Sequence, residues 1–136
     1  MEILNTLRSD VLNGYLQTTA NIISAEIFTD FLDMAQHLLD HGYKDPAASL
    51  CGAVLEDGLR RIARNNEITV TDQDDLNSMR DKCAQKAVYN NLVRQQILSW
   101  TTLRNSADHG KFEEYDAQQV RLTIEGVRSF LANHLS

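Results

Sequence analysis

Arg104, Asn105 and His109 stand within the stretch "LRNSADHG", residues 103–110. A guanidinium is always cationic and matches the oxygens of a phosphate. An imidazole changes charge near neutral pH and can take or deliver a proton. An asparagine beside them both donates and accepts hydrogen bonds. Those three groups suit proton transfer at a phosphodiester, with the arginine countering the charge that builds on phosphate oxygens. The same spacing has a plainer use. Arg104 and Asp108 are four apart, as in a helical ion pair, and Asn105 and His109 are placed for a hydrogen bond. A cationic histidine also stabilises a helix C-terminus.

The element that must position these groups is a helix over 91–108, with Gly110 just past its end. With Val93 set at zero and about 100° per residue, Ile97, Trp100, Leu103 and Ala107 form the inward stripe. Arg104 falls at about 20°, inside that stripe. A charge there must be paired, wet or bound to a ligand, and a long stem lets the head reach such a place. His109 falls at about 160°, roughly 140° from Arg104. An unbroken helix therefore holds the two apart on one chain. They meet only if the helix unwinds before Gly110 or if a second copy completes a shared cleft, so a homodimer is expected.

The rest of the chain reads as helices. Low proline and glycine, 43% hydrophobic and 24% charged residues over 136 positions fit one globular domain, 1–136, of the all-α class. An antiparallel bundle of about five to six helices is expected. Leu4, Leu7 and Val11 mark a helix over 3–13. Ile27, Phe31, Met34 and Leu38 form the expected inward stripe of a helix over 25–41, closed by Gly42. "DPAASL" supplies Asp45 as an N-cap and Pro46 at the first helical position of a helix running to about Asn65, with Leu50, Val54 and Ile62 facing in. Thr71 is expected to cap a helix ending near Ala87. Asp116 and Gln119 form a capping box before a last helix with Val120, Ile124, Val127, Leu131 and Leu135 on its inner face.

Net charge is −6 but unevenly spread. Residues 1–79 carry 5 basic and 13 acidic side chains, whereas Arg80, Lys82, Lys86, Arg94, Arg104 and Lys111 face only Asp81 and Asp108 within 80–112. Such an island can meet nucleic-acid phosphates in an otherwise acidic protein. Lys86, Arg94 and Lys111 are the expected RNA-binding residues around the motif. The island is also what a solvated helix face would give.

Other groupings carry less chemistry. His37 and His41 follow Asp33 at helical spacing, but a third distant metal ligand is not apparent, so they read as exposed histidines and no metal or other cofactor is expected. Glu56 and Arg60 are four apart and suit a surface ion pair, or Glu56 faces the motif across the bundle. Cys51 reads as core, and Cys83 lies among basic residues that would lower its pKa. Trp100 reads as core or dimer interface. Two unpaired cysteines, no leader-like N-terminus and no long apolar run suggest a cytoplasmic protein without a membrane partner.

The stretch "LRNSADHG", with "ILSW" before it, "GVRSFL" in the last helix and "DPAASLCGAVLEDGLRRIA" earlier, resembles the HEPN superfamily over most of residues 45–135. The resemblance implies a helical bundle that dimerises, and a metal-independent endoribonuclease of the toxin or phage-defence kind. Arg104, Asn105 and His109 fill the places of the superfamily's Arg–polar–spacer–His signature. It implies that the RNA 2′-hydroxyl attacks the adjacent phosphorus to leave a 2′,3′-cyclic phosphate, with RNA as substrate and an antitoxin or other regulatory protein as a further partner. Some members carry a tyrosine two residues after the histidine, the target of a nucleotidyltransferase. Lys111 stands there, so that type of antitoxin is not expected. Other members are catalytically silent and serve as dimerisation, RNA-binding or protein-interaction modules, which is the alternative expectation.

Overall fold

The structure, a computed structural model, describes residues 24–135. The helix expected over 3–13 lies outside them. The described residues form an all-α bundle of five packed helices without strands. They are α1 (residues 24–40), α2 (Lys44–Asn65), α3 (Leu76–Gln85), α4 (Asn91–Asp108) and α5 (Ala117–Leu135), with a 3₁₀ turn at Phe112–Glu114.

Helix α2 is the centre, packing against α3, α4 and α5. Its buried face runs through Ala47, Cys51, Leu55, Leu59 and Ile62, with Ala48, Val54 and Ala63 beside them. Burying such side chains stabilises by about 1.5–3 kcal/mol each for the larger ones. Two glycines on this face allow close approach. A Cβ on Gly58 would lie 2.5 Å from a Leu131 methyl of α5, and one on Gly52 would lie 1.8 Å from Cγ of Arg104 on α4. The second contact sets the geometry of the candidate site.

Helices α4 and α5 follow the sequence reading closely because local signals define them. Asn90 Oδ1 accepts from the Val93 N–H and starts α4. Asp116 and Gln119 exchange reciprocal 2.8 Å bonds and start α5. All five residues expected on the inner face of α5 are buried.

Three expectations are corrected. The inner face of α1 is Leu32, Ala35 and Leu39, while Ile27, Phe31 and Met34 are exposed and Leu38 is half-buried. α1 has apolar residues over more than one face, so two stripes compete for the core; Leu32 of the buried stripe lines a cavity with Leu131 of α5, and Asp33 pairs with Arg128 of the same helix. Asp45 is not the N-cap of α2. Tyr43 holds that position without a side-chain bond, because the Asp45 carboxylate is already engaged by the Tyr115 hydroxyl at 2.5 Å and Lys44 at 2.8 Å. Thr71 does not cap α3. Asp75 does, accepting from Ser78 N–H at 2.8 Å, and Thr71 helps form the preceding turn by accepting from Gln73 N–H.

The acid-engaged carboxylates make stability pH-dependent. Lys82, the Ser78 hydroxyl and the Thr71 N–H hold Asp74 far below the usual carboxylate range. Burial raises the Asp45 and Asp81 carboxyls, but hydrogen bonds outweigh it and leave both lowered: from Lys44 and Tyr115 for Asp45, from Arg80 and Arg94 for Asp81. A carboxyl whose folded pKa lies below its unfolded value stabilises above that unfolded value and stops doing so as pH falls through the folded one. Urea midpoints are therefore expected to hold steady down to about pH 4, near the ordinary Asp pKa, and to drop below it. Asp74→Asn is expected to flatten that drop, which urea melts from pH 2 to 6 would measure.

Candidate functional site at the end of α4

Helix α4 carries Arg104 towards α2. The arginine stem lies over Gly52, where no side chain obstructs it. Its head is only 15% exposed and lies between two carboxylates: Nη1 is 3.7 Å from Glu56 Oε2 and Nε is 3.6 Å from Asp108 Oδ2. Nε also donates to Asn105 Oδ1 at 3.2 Å. Asp108 is fixed in turn by the Ser49 hydroxyl at 2.9 Å. The expectation that a charge on this stripe needs partners is met within one chain, by Glu56 from across the bundle and by Asp108 from the next turn. The expected Glu56–Arg60 pair does not form. Arg60 lies beside Asp57 at 3.9 Å and donates to the Asp74 carbonyl at 2.8 Å.

The helix does not unwind before His109. It is regular through Asp108, and His109 is the C-cap with φ −95° and ψ 11°, its N–H bonded to the Asn105 carbonyl at 3.0 Å. Gly110 then takes φ +73°, which a glycine adopts without strain, and Lys111 N–H closes on the Ser106 carbonyl at 2.8 Å. His109 is exposed, and its ring makes no hydrogen bond or ion pair among the described residues. Arg104 and His109 are thus held on different sides of one helix end, and within one protomer the helix does not bring them together. The side-chain bond expected between Asn105 and His109 is replaced by the backbone one.

The loop after α4 is tied to the start of α2. Lys44 donates to the Phe112 carbonyl at 2.6 Å and sits 4.1 Å over the Tyr115 ring. The buried Tyr115 hydroxyl donates to Asp45. Burial first, then that carboxylate, push the phenol well above its ordinary pKa. Tyr115 is therefore a structural clamp rather than an open nucleophile.

The basic island is largely neutralised. Asp81 takes both Arg80, at 3.0 Å, and Arg94, at 2.9 Å. Lys82 pairs with Asp74 at 2.8 Å. Of the three expected RNA contacts, Arg94 is engaged, whereas Lys86 and Lys111 are exposed with no side-chain partner among the described residues. Cys83 is buried, and desolvation pushes its thiol up to about 11 rather than down. Cys51 is likewise buried and pushed up to about 12. His41 Nδ1 is 2.8 Å from the His37 carbonyl, and Asp33 is paired with Arg128 at 2.8 Å. Among the described residues no three His, Cys, Asp or Glu side chains are grouped to hold a metal ion. No helix among them is long and apolar enough to cross a membrane.

Sequence reasoning missed a groove of about 470 Å³ between α4, the 3₁₀ turn and α5. Its polar walls, Ser106, Glu114 and Gln119 among them, come from three elements, and no sequence spacing joins them. Comparison with protein-family models, with curated proteins and with solved structures gave no match.

Proposed function

We propose that the protein is a HEPN-type endoribonuclease that works as a dimer, with Arg104 and His109 drawn from two copies of α4 in one cleft. The observation that carries this reading is the unbroken end of α4. It leaves a histidine without a side-chain partner among the described residues on one side and a guanidinium anchored over a glycine on the other, two halves of a phosphodiester site that one chain keeps apart.

In this reading the RNA 2′-hydroxyl attacks the adjacent phosphorus, and its proton passes to an imidazole. The bond from phosphorus to the 5′-oxygen breaks, and that oxygen takes a proton. The products are a 2′,3′-cyclic phosphate and a 5′-hydroxyl. His109 takes the proton from the 2′-hydroxyl and delivers it to the leaving 5′-oxygen. Arg104 holds a phosphate oxygen and offsets the charge that grows there. Asn105, bonded to Arg104 Nε, orients the guanidinium. Lys86 and Lys111, exposed and without a side-chain partner among the described residues, can track the strand. DNA lacks the attacking hydroxyl and is not cut.

A second reading is favoured by one feature. Glu56 and Asp108 already flank the guanidinium, as they would in a silent module where Arg104 only joins α4 to α2. Labelled single-stranded RNA with EDTA present separates the two. The first reading expects cleavage with cyclic-phosphate ends, none on the matching DNA, and a dimer by light scattering. Intact RNA at high enzyme concentration, or a strict monomer, supports the second.

A further inference from the structure

The groove between α4 and α5 lies on the flank of α4 next to the one that His109 faces. On the helical wheel its α4 lining runs from Thr102 at about 180° to Trp100 at about 340°, centred about 90° from His109. Its size suits a small organic group rather than a water or an ion. Among the described residues no lysine, arginine or histidine lines it, so these walls do not favour phosphate. Its apolar walls are Trp100, Leu103 and Leu122, a surface for a flat ring.

Two of its polar side chains are held with opposite roles. Gln119 Oε1 accepts from the Asp116 N–H at 2.8 Å, which leaves its Nε2 to donate. Glu114 Oε2 accepts from the Ser106 hydroxyl at 2.8 Å, which fixes a carboxylate that only accepts. The hydroxyls of Thr102 and Thr123 donate to backbone carbonyls and so present lone pairs. The groove thus offers one oriented donor, an acceptor with two oxygens, and an aromatic wall.

We infer that this groove binds the base of a guanine nucleotide in the RNA. Guanine carries a carbonyl oxygen next to two N–H donor groups on one edge. The carbonyl meets Gln119 Nε2, and the two donors meet the two oxygens of Glu114. Uracil has one such donor flanked by carbonyls, adenine and cytosine place a bare ring nitrogen where guanine has N–H, and each leaves part of the pair unmet. The inference rests on the RNA-cleaving reading for its meaning, but it is tested without cleavage.

Trp100 is the chain's single tryptophan and lines both this groove and a cavity beside Phe130 and His134, so its fluorescence reports binding and the Glu114 and Gln119 variants assign it to the groove. Free guanosine, adenosine, cytidine and uridine are titrated against the full chain, with calorimetry as an independent readout. Guanosine is expected to change the Trp100 emission at concentrations at least about tenfold below the other three, as a bidentate base contact provides. Glu114→Gln is expected to lose about tenfold of that affinity. The exposed Gln119→Ala, which spares the Glu114–Ser106 bond, is expected to weaken guanosine without changing the melting temperature by more than its lost cap. Equal response to all four nucleosides, no response, or tightest binding of an alkylamine such as putrescine overturns the inference. So does unchanged guanosine affinity in both variants. If guanosine binds as expected while RNA stays intact, the groove stands and the nuclease reading falls. If RNA is cut but guanosine does not bind, the groove assignment falls alone.

Discussion

Replacing His109 by alanine is expected to reduce RNA cleavage by about 10²–10⁴-fold, the usual worth of a positioned proton-transfer group. The fold should not notice. The ring is exposed and makes no bond among the described residues, and the C-cap contact of His109 is made by its backbone N–H. Melting temperature and circular dichroism are therefore expected to match the wild type within error. The pairing of a large kinetic loss with an unchanged melt is the informative result. A His109→Ala protein that cuts as well as wild type removes the histidine from the chemistry. One that unfolds shows that the residue's role is structural.

The second large effect is expected from a residue that touches no substrate. Gly52→Ala puts a methyl group where the Arg104 stem lies, 1.8 Å from Cγ and 2.7 Å from Cβ. The stem is the part that must move, since both helices are packed. Overpacking of this kind costs about 1–3 kcal/mol, and a guanidinium moved off its post should cost cleavage about 10²–10³-fold. A double-variant cycle separates the two losses. Adding Arg104→Ala to Gly52→Ala removes the 1.8 Å contact with Cγ but keeps Cβ at 2.7 Å, so stability should recover in part while activity stays lost. If stability does not recover, the clash lies elsewhere.

The sequence made some of this legible and hid the rest for identifiable reasons. α4 is readable from its apolar stripe and the Gly110 after it, and α5 because Asp116 and Gln119 act on backbone groups within three residues of themselves. The anomaly of Arg104 was readable because one charge interrupts an apolar stripe. Its solution was only half readable. Asp108 is one turn away, but the role of Gly52 depends on how two helices cross, which no local pattern encodes. Glu56 has a nearer partner in the sequence, Arg60, but pairs with Arg104 instead because Arg60 is drawn to the Asp74 carbonyl. The inner face of α1 is hidden in the sequence because its larger apolar residues mark one stripe and the core takes the other. The basic island was real as composition, yet Asp81 and Asp74 pair with three of its cations, two of them through bonds across elements or turns.

The central claim is that one active site takes Arg104 from one protomer and His109 from its partner. Mixing the two inactive variants tests it most directly. Arg104→Ala and His109→Ala proteins are unfolded together, refolded and assayed on labelled RNA. In a mixed dimer one cleft loses both residues and the other keeps both. With random assortment half the dimers are mixed and each has one working cleft, so activity is expected to return to about a quarter of wild type. A mixture as inactive as either variant alone, with mixed dimers verified by mass, contradicts the account.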